Sequence, residues 1–119
     1  MKDFRNLKVW EKSHELTILI YKTTVKFPKD ELYGLTSQIR RACTSIGANI
    51  AEGCGKDTDG ELKRYLQIAM GSSSELDNFL LLSKDLKYLE GTKYKMLQDK
   101  LIELRKMLNA FIQKLKANR

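Results

Sequence analysis

Apolar residues recur every three or four positions along nearly the whole chain, the spacing of helices that bury one face. Its one proline and few glycines interrupt that pattern at three places and predict helices over residues 7–27, 32–53, 59–89 and 92–117. In the first, Leu7, Trp10, His14, Thr17, Tyr21 and Thr24 form one stripe with Leu16, Ile20 and Phe27 beside it, and Pro28 stops it by withholding a backbone donor. The second carries Leu35, Ile39, Ala42, Ile46 and Ile50 inward, while Ala42, Cys43, Ser45, Gly47 and Ala48 are small enough for a neighbouring helix to come close.

Thr58 with Glu61 three positions on makes a capping box that opens the third helix. Its seam is heptad-like: Leu62, Leu66, Ala69, Ser73, Leu76, Leu80 and Ser83 alternate at steps of four and three, and Phe79, Leu82, Leu86 and Leu89 widen the apolar face. Gly91 and Thr92 turn the chain into a fourth helix with Tyr94, Leu97, Leu101, Leu104, Leu108, Phe111 and Leu115 inward. Four helices on short loops imply an all-α fold, an antiparallel up-down-up-down four-helix bundle forming one domain over residues 1–119. The run Gly71-Ser72-Ser73-Ser74 suggests close helix packing, and Asn49, Glu52 and Glu75 lie near the expected core faces.

Composition narrows the functional classes. No apolar run approaches the roughly 18 residues of a membrane span, and residues 1–10 mix Lys2, Asp3, Arg5 and Lys8 with apolar residues in a way unlike a secretory leader, so a cytoplasmic protein without a membrane partner is expected. Cys43 and Cys54, on one helix, stand about 16 Å apart and read as small buried side chains. The net charge of +7 is concentrated in residues 84–119, which hold ten basic and four acidic side chains against twelve and eleven before them. Arg105, Lys106, Lys114 and Lys116 close the fourth helix; Arg40 and Arg41 make a second cluster; Lys63 and Arg64, with Lys56, make a third. These are candidate phosphate contacts for a nucleic acid, with a solvated helix face as the bland alternative. Tyr65, Tyr88 and Tyr94 stand near basic residues, where rings stack on bases or simply pack.

Signals for chemistry are sparse. Glu11 and His14 have the Glu-x-x-His spacing of a di-iron bundle, but His14 is the only histidine and such a site needs two copies. Gly53-Cys54-Gly55-Lys56 lacks the spacing of a phosphate-binding loop, and the serine run has no histidine on its helix. Neither catalytic residues nor a metal or other cofactor are expected.

Three stretches carry a family resemblance: Leu7-Lys8-Val9-Trp10; Phe27-Pro28 followed by Glu31-Leu32-Tyr33-Gly34-Leu35-Thr36-Ser37-Gln38-Ile39-Arg40-Arg41-Ala42; and Asn49-Ile50-Ala51-Glu52-Gly53. With Gly71-Ser72-Ser73-Ser74-Glu75-Leu76 and Met107-Leu108-Asn109, the chain resembles the four-helix bundle proteins encoded in intervening sequences of bacterial 23S ribosomal RNA genes. The accessory variability proteins of diversity-generating retroelements resemble the same family. The resemblance implies a homopentamer without enzymatic activity whose basic surface suits nucleic acid, RNA first; the retroelement relatives imply instead a scaffold for a reverse transcriptase. Many relatives carry proline in the stretch where this chain reads Ser45-Ile46-Gly47-Ala48-Asn49, which implies a softer kink here.

Overall fold

A computed structural model describes residues 2–117. The described residues form four long helices and no strand: α1 (Lys8–Thr24), α2 (Leu35–Cys54), α3 (Asp59–Asp85) and α4 (Gly91–Ala117). Single 3₁₀ turns at Phe4–Asn6 and Lys29–Glu31 precede α1 and α2. α2 packs on α1 and α3, and α4 packs on α3 and α1, while the diagonal pairs do not meet. The bundle measures 46 × 23 × 20 Å, its long axis set by the two 27-residue helices at about 1.5 Å per residue.

The predicted seam of α3 is the observed one. Leu62, Leu66, Ala69, Ser73, Leu76, Leu80 and Ser83 are all buried, as are Leu35, Ile39, Ala42, Ile46 and Ile50 of α2 and Leu97, Leu101, Leu104, Leu108 and Leu115 of α4. The capping box forms as well, with the Glu61 amide donating to Thr58 Oγ1 at 3.2 Å. Ser83 and Ser73 are tolerated inside because each hydroxyl donates to a carbonyl of its own helix, Phe79 O and Met70 O.

α1 differs from its predicted stripe. Its core face is Val9, Ser13, Leu16, Ile20 and Thr24; the expected Leu16, Ile20, Thr24 and Phe27 are buried, but the stripe through Trp10, His14, Thr17 and Tyr21 lies a single residue step, about 100°, off the core. His14 and Tyr21 are exposed, and Trp10 lies at the rim, edge-on to Phe4 and stacked on His14 at 4.7 Å. Aromatic rings weigh as apolar in the pattern, yet Trp10 and His14 serve here as a lid on the surface, and the small Ser13 takes the inward place. Opposite it stands Gly47, where a Cβ would lie 3.4 Å from Ser13 Oγ and 3.6 Å from Trp10 Nε1. α2 runs unbroken through this glycine.

Helix ends also move. α1 stops at Thr24, ahead of Pro28, where the Lys26 and Phe27 amides leave the i−4 ladder and donate to Thr23 O and Thr24 O in three-residue turns. α3 stops at Asp85 rather than near Leu89. The Lys87 amide donates to Lys84 O and the Tyr88 amide to Ser83 O, a Schellman ending with Lys87 at φ 67° where glycine is usual.

The α2–α3 pairing is the closest in the bundle. Ser45 Oγ and Ser72 Oγ are 2.9 Å apart, and a Cβ on Gly53 would lie 2.9 Å from Tyr65 Cβ and 3.0 Å from Leu62 Cδ1. Asn49 adds to this seam by donating to Ser45 O and Oγ, whereas Glu52 and Glu75 are exposed. Gly71, expected at a close contact, faces open space with nothing within 4 Å of its Cβ position.

The two glycines therefore respond oppositely to alanine. Gly71→Ala gains helix propensity and raises stability by about 0.5–1 kcal/mol. Gly53→Ala forces α2 off the base of Tyr65 and lowers stability by about 1–2 kcal/mol despite the same propensity gain. Urea denaturation of the two variants beside the parent protein measures both.

Candidate nucleic-acid interface

An antiparallel bundle gathers helix starts and helix ends that are remote in sequence. The start of α1, the end of α2, the start of α3 and the end of α4 share one end of this molecule. The Lys2 amide donates to Cys54 O at 2.9 Å, pinning the first residues across the end of α2. Lys2 and Lys56 line one small cleft at the α2–α3 turn, and Lys2, Lys8 and Lys114 line another between α1 and α4. This second cleft, about 410 Å³, is floored by Leu7, Met107 and Phe111, and Asp59 is its only acid.

At the start of α3, Arg64 and Lys56 both lie on the Tyr65 ring, at 4.9 and 5.3 Å from its centre. The contacts Lys84–Tyr94 and Ser74–Arg105 set the register of α3 against α4, and continuing that pairing brings Lys63 roughly level with Lys116. Thus Lys63, Arg64, Lys114 and Lys116 lie toward the same end of the bundle as Lys2, Lys8 and Lys56. Lys2 and Lys8 escape sequence reasoning because no run of charge marks them; the signal that finds them is the alternation of helix direction. Asp57, Asp59 and Glu61 lie at the same end, two of them in the first turn of α3, where the helix dipole favours carboxylates.

The remaining candidates lie elsewhere. Adjacent residues on a helix point about 100° apart, so Arg40 and Arg41 separate. Arg40 turns to α1, donating from Nε to Thr24 Oγ1 at 3.0 Å, with its guanidinium 4.7 Å from the centre of the Tyr21 ring. Arg41 is exposed on the α2–α3 groove with Thr44, Ala48 and Glu75. Arg105 and Lys106 part in the same way. Arg105 Nη2 donates to Ser74 Oγ at 2.8 Å and Nη1 stands 3.8 Å from Asp77 Oδ2, which holds the side chain in the α3–α4 seam; Lys106 is exposed.

Tyrosines divide similarly. Only Tyr65 stands within the basic end; the Tyr88 hydroxyl donates to Glu31 Oε2 at 3.1 Å, a bond that pushes its pKa up, and Tyr94 packs beneath Lys84. Cys43 and Cys54 are free and buried. Burial pushes the Cys43 thiol up to about 11, which keeps it protonated and unreactive at neutral pH. Among the described residues, no group of three or more His, Cys, Asp or Glu is placed to hold a metal, and Glu11 and His14 are both exposed. No helix of the described residues is long and apolar enough to cross a membrane.

Residues 5–110 match the family model described as 23S rRNA-intervening sequence protein. The chain belongs to that family. A solved structure from Bacteroides thetaiotaomicron, described as a protein with unknown function from the S23 ribosomal protein family, is similar at 29% identity with a TM-score of 0.79. The likeness covers 87% of this chain and 97% of that one. No curated protein matches. The intervening-sequence match spans all four helices but stops before Lys114 and Lys116, so part of the basic end lies beyond the matched residues.

The seam position of Arg105 separates it from its neighbour in a measurable way. Arg105→Ala lowers stability by about 1 kcal/mol, through lost hydrogen bonds to a partly exposed guanidinium, whereas Lys106→Ala stays within about 0.5 kcal/mol of the parent, as a surface substitution should. Chemical denaturation of both variants checks the split.

Proposed function

We propose that this protein is a nonenzymatic, homo-oligomeric bundle that works in the cytoplasm and binds nucleic acid, RNA first, through its basic end. The observation that carries the reading is the meeting of Lys2, Lys8, Lys56, Lys63, Arg64, Lys114 and Lys116 around one end of the bundle, with the Tyr65 ring among them. Each ammonium or guanidinium that neutralises a phosphate releases condensed counterions and adds sequence-independent affinity. Membership of a family named for an intervening sequence in ribosomal RNA favours RNA over DNA.

Arg40, Arg41, Arg105 and Lys106 contribute to one surface with the basic end only if copies of the chain bring them there. Exposed apolar residues support an assembly: Leu82 in the last turn of α3 and Leu86 just past its end stand one turn apart with Leu81 beside them, and Ile102 lies exposed on α4. A homopentamer is the form that the family resemblance implies. The same exposed residues favour a second reading, a scaffold or accessory subunit for a partner protein such as a reverse transcriptase.

Fluorescence anisotropy of a labelled structured RNA and a matched DNA duplex, titrated at several salt concentrations, tests the first reading. Four engaged phosphates give a slope of log affinity against log salt of roughly −3, and Lys114→Glu with Lys116→Glu weakens binding to every sequence alike by about tenfold or more. Absence of binding at low salt overturns the reading and leaves the scaffold. Light scattering tests the assembly: a particle of five chain masses is expected, reduced to smaller species by Leu82→Glu, and a monomer at high concentration contradicts it.

A further inference from the structure

We propose that the corner between α1 and α2 is a binding site for a small organic carboxylate with a short apolar body. A pocket of about 240 Å³ opens there, walled by Val25, Phe27, Pro28 and Leu32, with Lys29, Thr36 and Arg40 at its polar side. Its volume lies below the roughly 300–1,000 Å³ of drug-sized sites, which suits a ligand of about a dozen heavy atoms or fewer. The site is independent of the basic end and of the nucleic-acid reading.

Three features make this more than a surface dent. Arg40 is held in place before any ligand arrives: Thr24 Oγ1 donates to Ile20 O at 2.8 Å and accepts from Arg40 Nε at 3.0 Å, while the guanidinium lies against Tyr21. Its Nη edge is left for an anion, the geometry that a carboxylate matches with two hydrogen bonds. Among the described residues no carboxylate pairs with Arg40 or with Lys29. Asp30, next to Lys29, is exposed to solvent, and Glu31 is engaged at both oxygens, Oε1 by the Leu35 amide and Oε2 by the Tyr88 hydroxyl.

The second feature is Thr36, 3% exposed, which lines the pocket and whose hydroxyl has no hydrogen-bond partner. A buried unsatisfied hydroxyl is unfavourable, and a small shift of Thr36 toward a bound carboxylate would satisfy it. The third is that Arg40 and Lys29 line the same pocket, while the start of the 20-residue α2 beside it is already capped by Glu31 through the Leu35 amide. Two cations select an anion; four apolar walls select a body that a bare inorganic ion or a hydrated phosphodiester chain does not bring. Carboxylate and body together define the ligand class.

Amide NMR titration of the whole protein with phenylacetate tests this, with phenylacetamide, acetate and inorganic phosphate as comparisons. Phenylacetate is expected to shift the amides of Val25, Phe27, Leu32 and Thr36 and to saturate with a Kd on the order of 1 mM or below. The neutral amide, the bodiless acetate and phosphate are each expected to bind at least tenfold more weakly. Arg40→Gln and Lys29→Gln each weaken phenylacetate severalfold; Lys29 lies on an exposed turn, so its variant stays informative if Arg40→Gln unfolds. Thr36→Val weakens binding about threefold while raising the melting temperature, a pair of effects that a purely structural threonine would not give. Equal binding of phenylacetamide or phosphate, saturation at other amides, or unchanged affinity in the Lys29 variant overturns the proposal.

Discussion

Close contact between α2 and α3 is the constraint on which the rest of the bundle depends. Gly53 has no room for a side chain against Tyr65, and Ser45 and Ser72 share a hydrogen bond across the interface, so the two helices run side by side along most of their length. Small residues make that approach possible; the leucines and isoleucines beside them then supply the apolar burial that drives it. With this pair fixed, α1 has one free flank of α2 to cover and α4 one flank of α3. The square closes where α4 meets α1, through Lys12 and Glu103 at the surface and the leucine seam beneath.

The proposed function rests on the direction of the chain within that square. Alternating helices put the start of α1 beside the end of α4 and the end of α2 beside the start of α3, and this collects seven cations from four separate stretches of sequence. The opposite end carries the α1–α2 corner, where one arginine is fixed by Thr24 and stacked on Tyr21 rather than left mobile in solvent. The two proposed sites would therefore differ, one broad and lysine-rich, the other small and partly apolar around a restrained guanidinium. Their chemistry differs because lysine ammonium groups act as hydrated point charges, whereas a restrained guanidinium reads geometry.

Much of the fold was legible in the linear pattern. Every seam position of α3 and the inward leucines of α4 follow from steps of three and four, and the Thr58–Glu61 cap follows from two residues. In α1 the pattern locates Leu16, Ile20, Thr24 and Phe27 but not the centre of the face, because the rings of Trp10, His14 and Tyr21 cover the rim while the polar Ser13 fills the narrow space facing Gly47. Gly71 was misread because a small residue in a helix signals close packing only if a neighbour stands opposite. The candidate site was half legible: counting charge finds Lys63, Arg64, Lys114 and Lys116, but pairing Arg40 with Arg41 and Arg105 with Lys106 ignores the turn between consecutive residues, and Lys2 and Lys8 become visible only when the helices are set antiparallel.

Native-state hydrogen exchange measures the central constraint most directly, since it ranks segments by the free energy needed to open them. If the α2–α3 contact holds the bundle together, the amides of Ile46, Ile50, Ala69 and Ser73 exchange only through global unfolding, and those of α1 and α4 open at lower free energy. Equal or greater protection of α1 or α4, with the amides around Ser45 and Ser72 exchanging by local opening, would contradict that account.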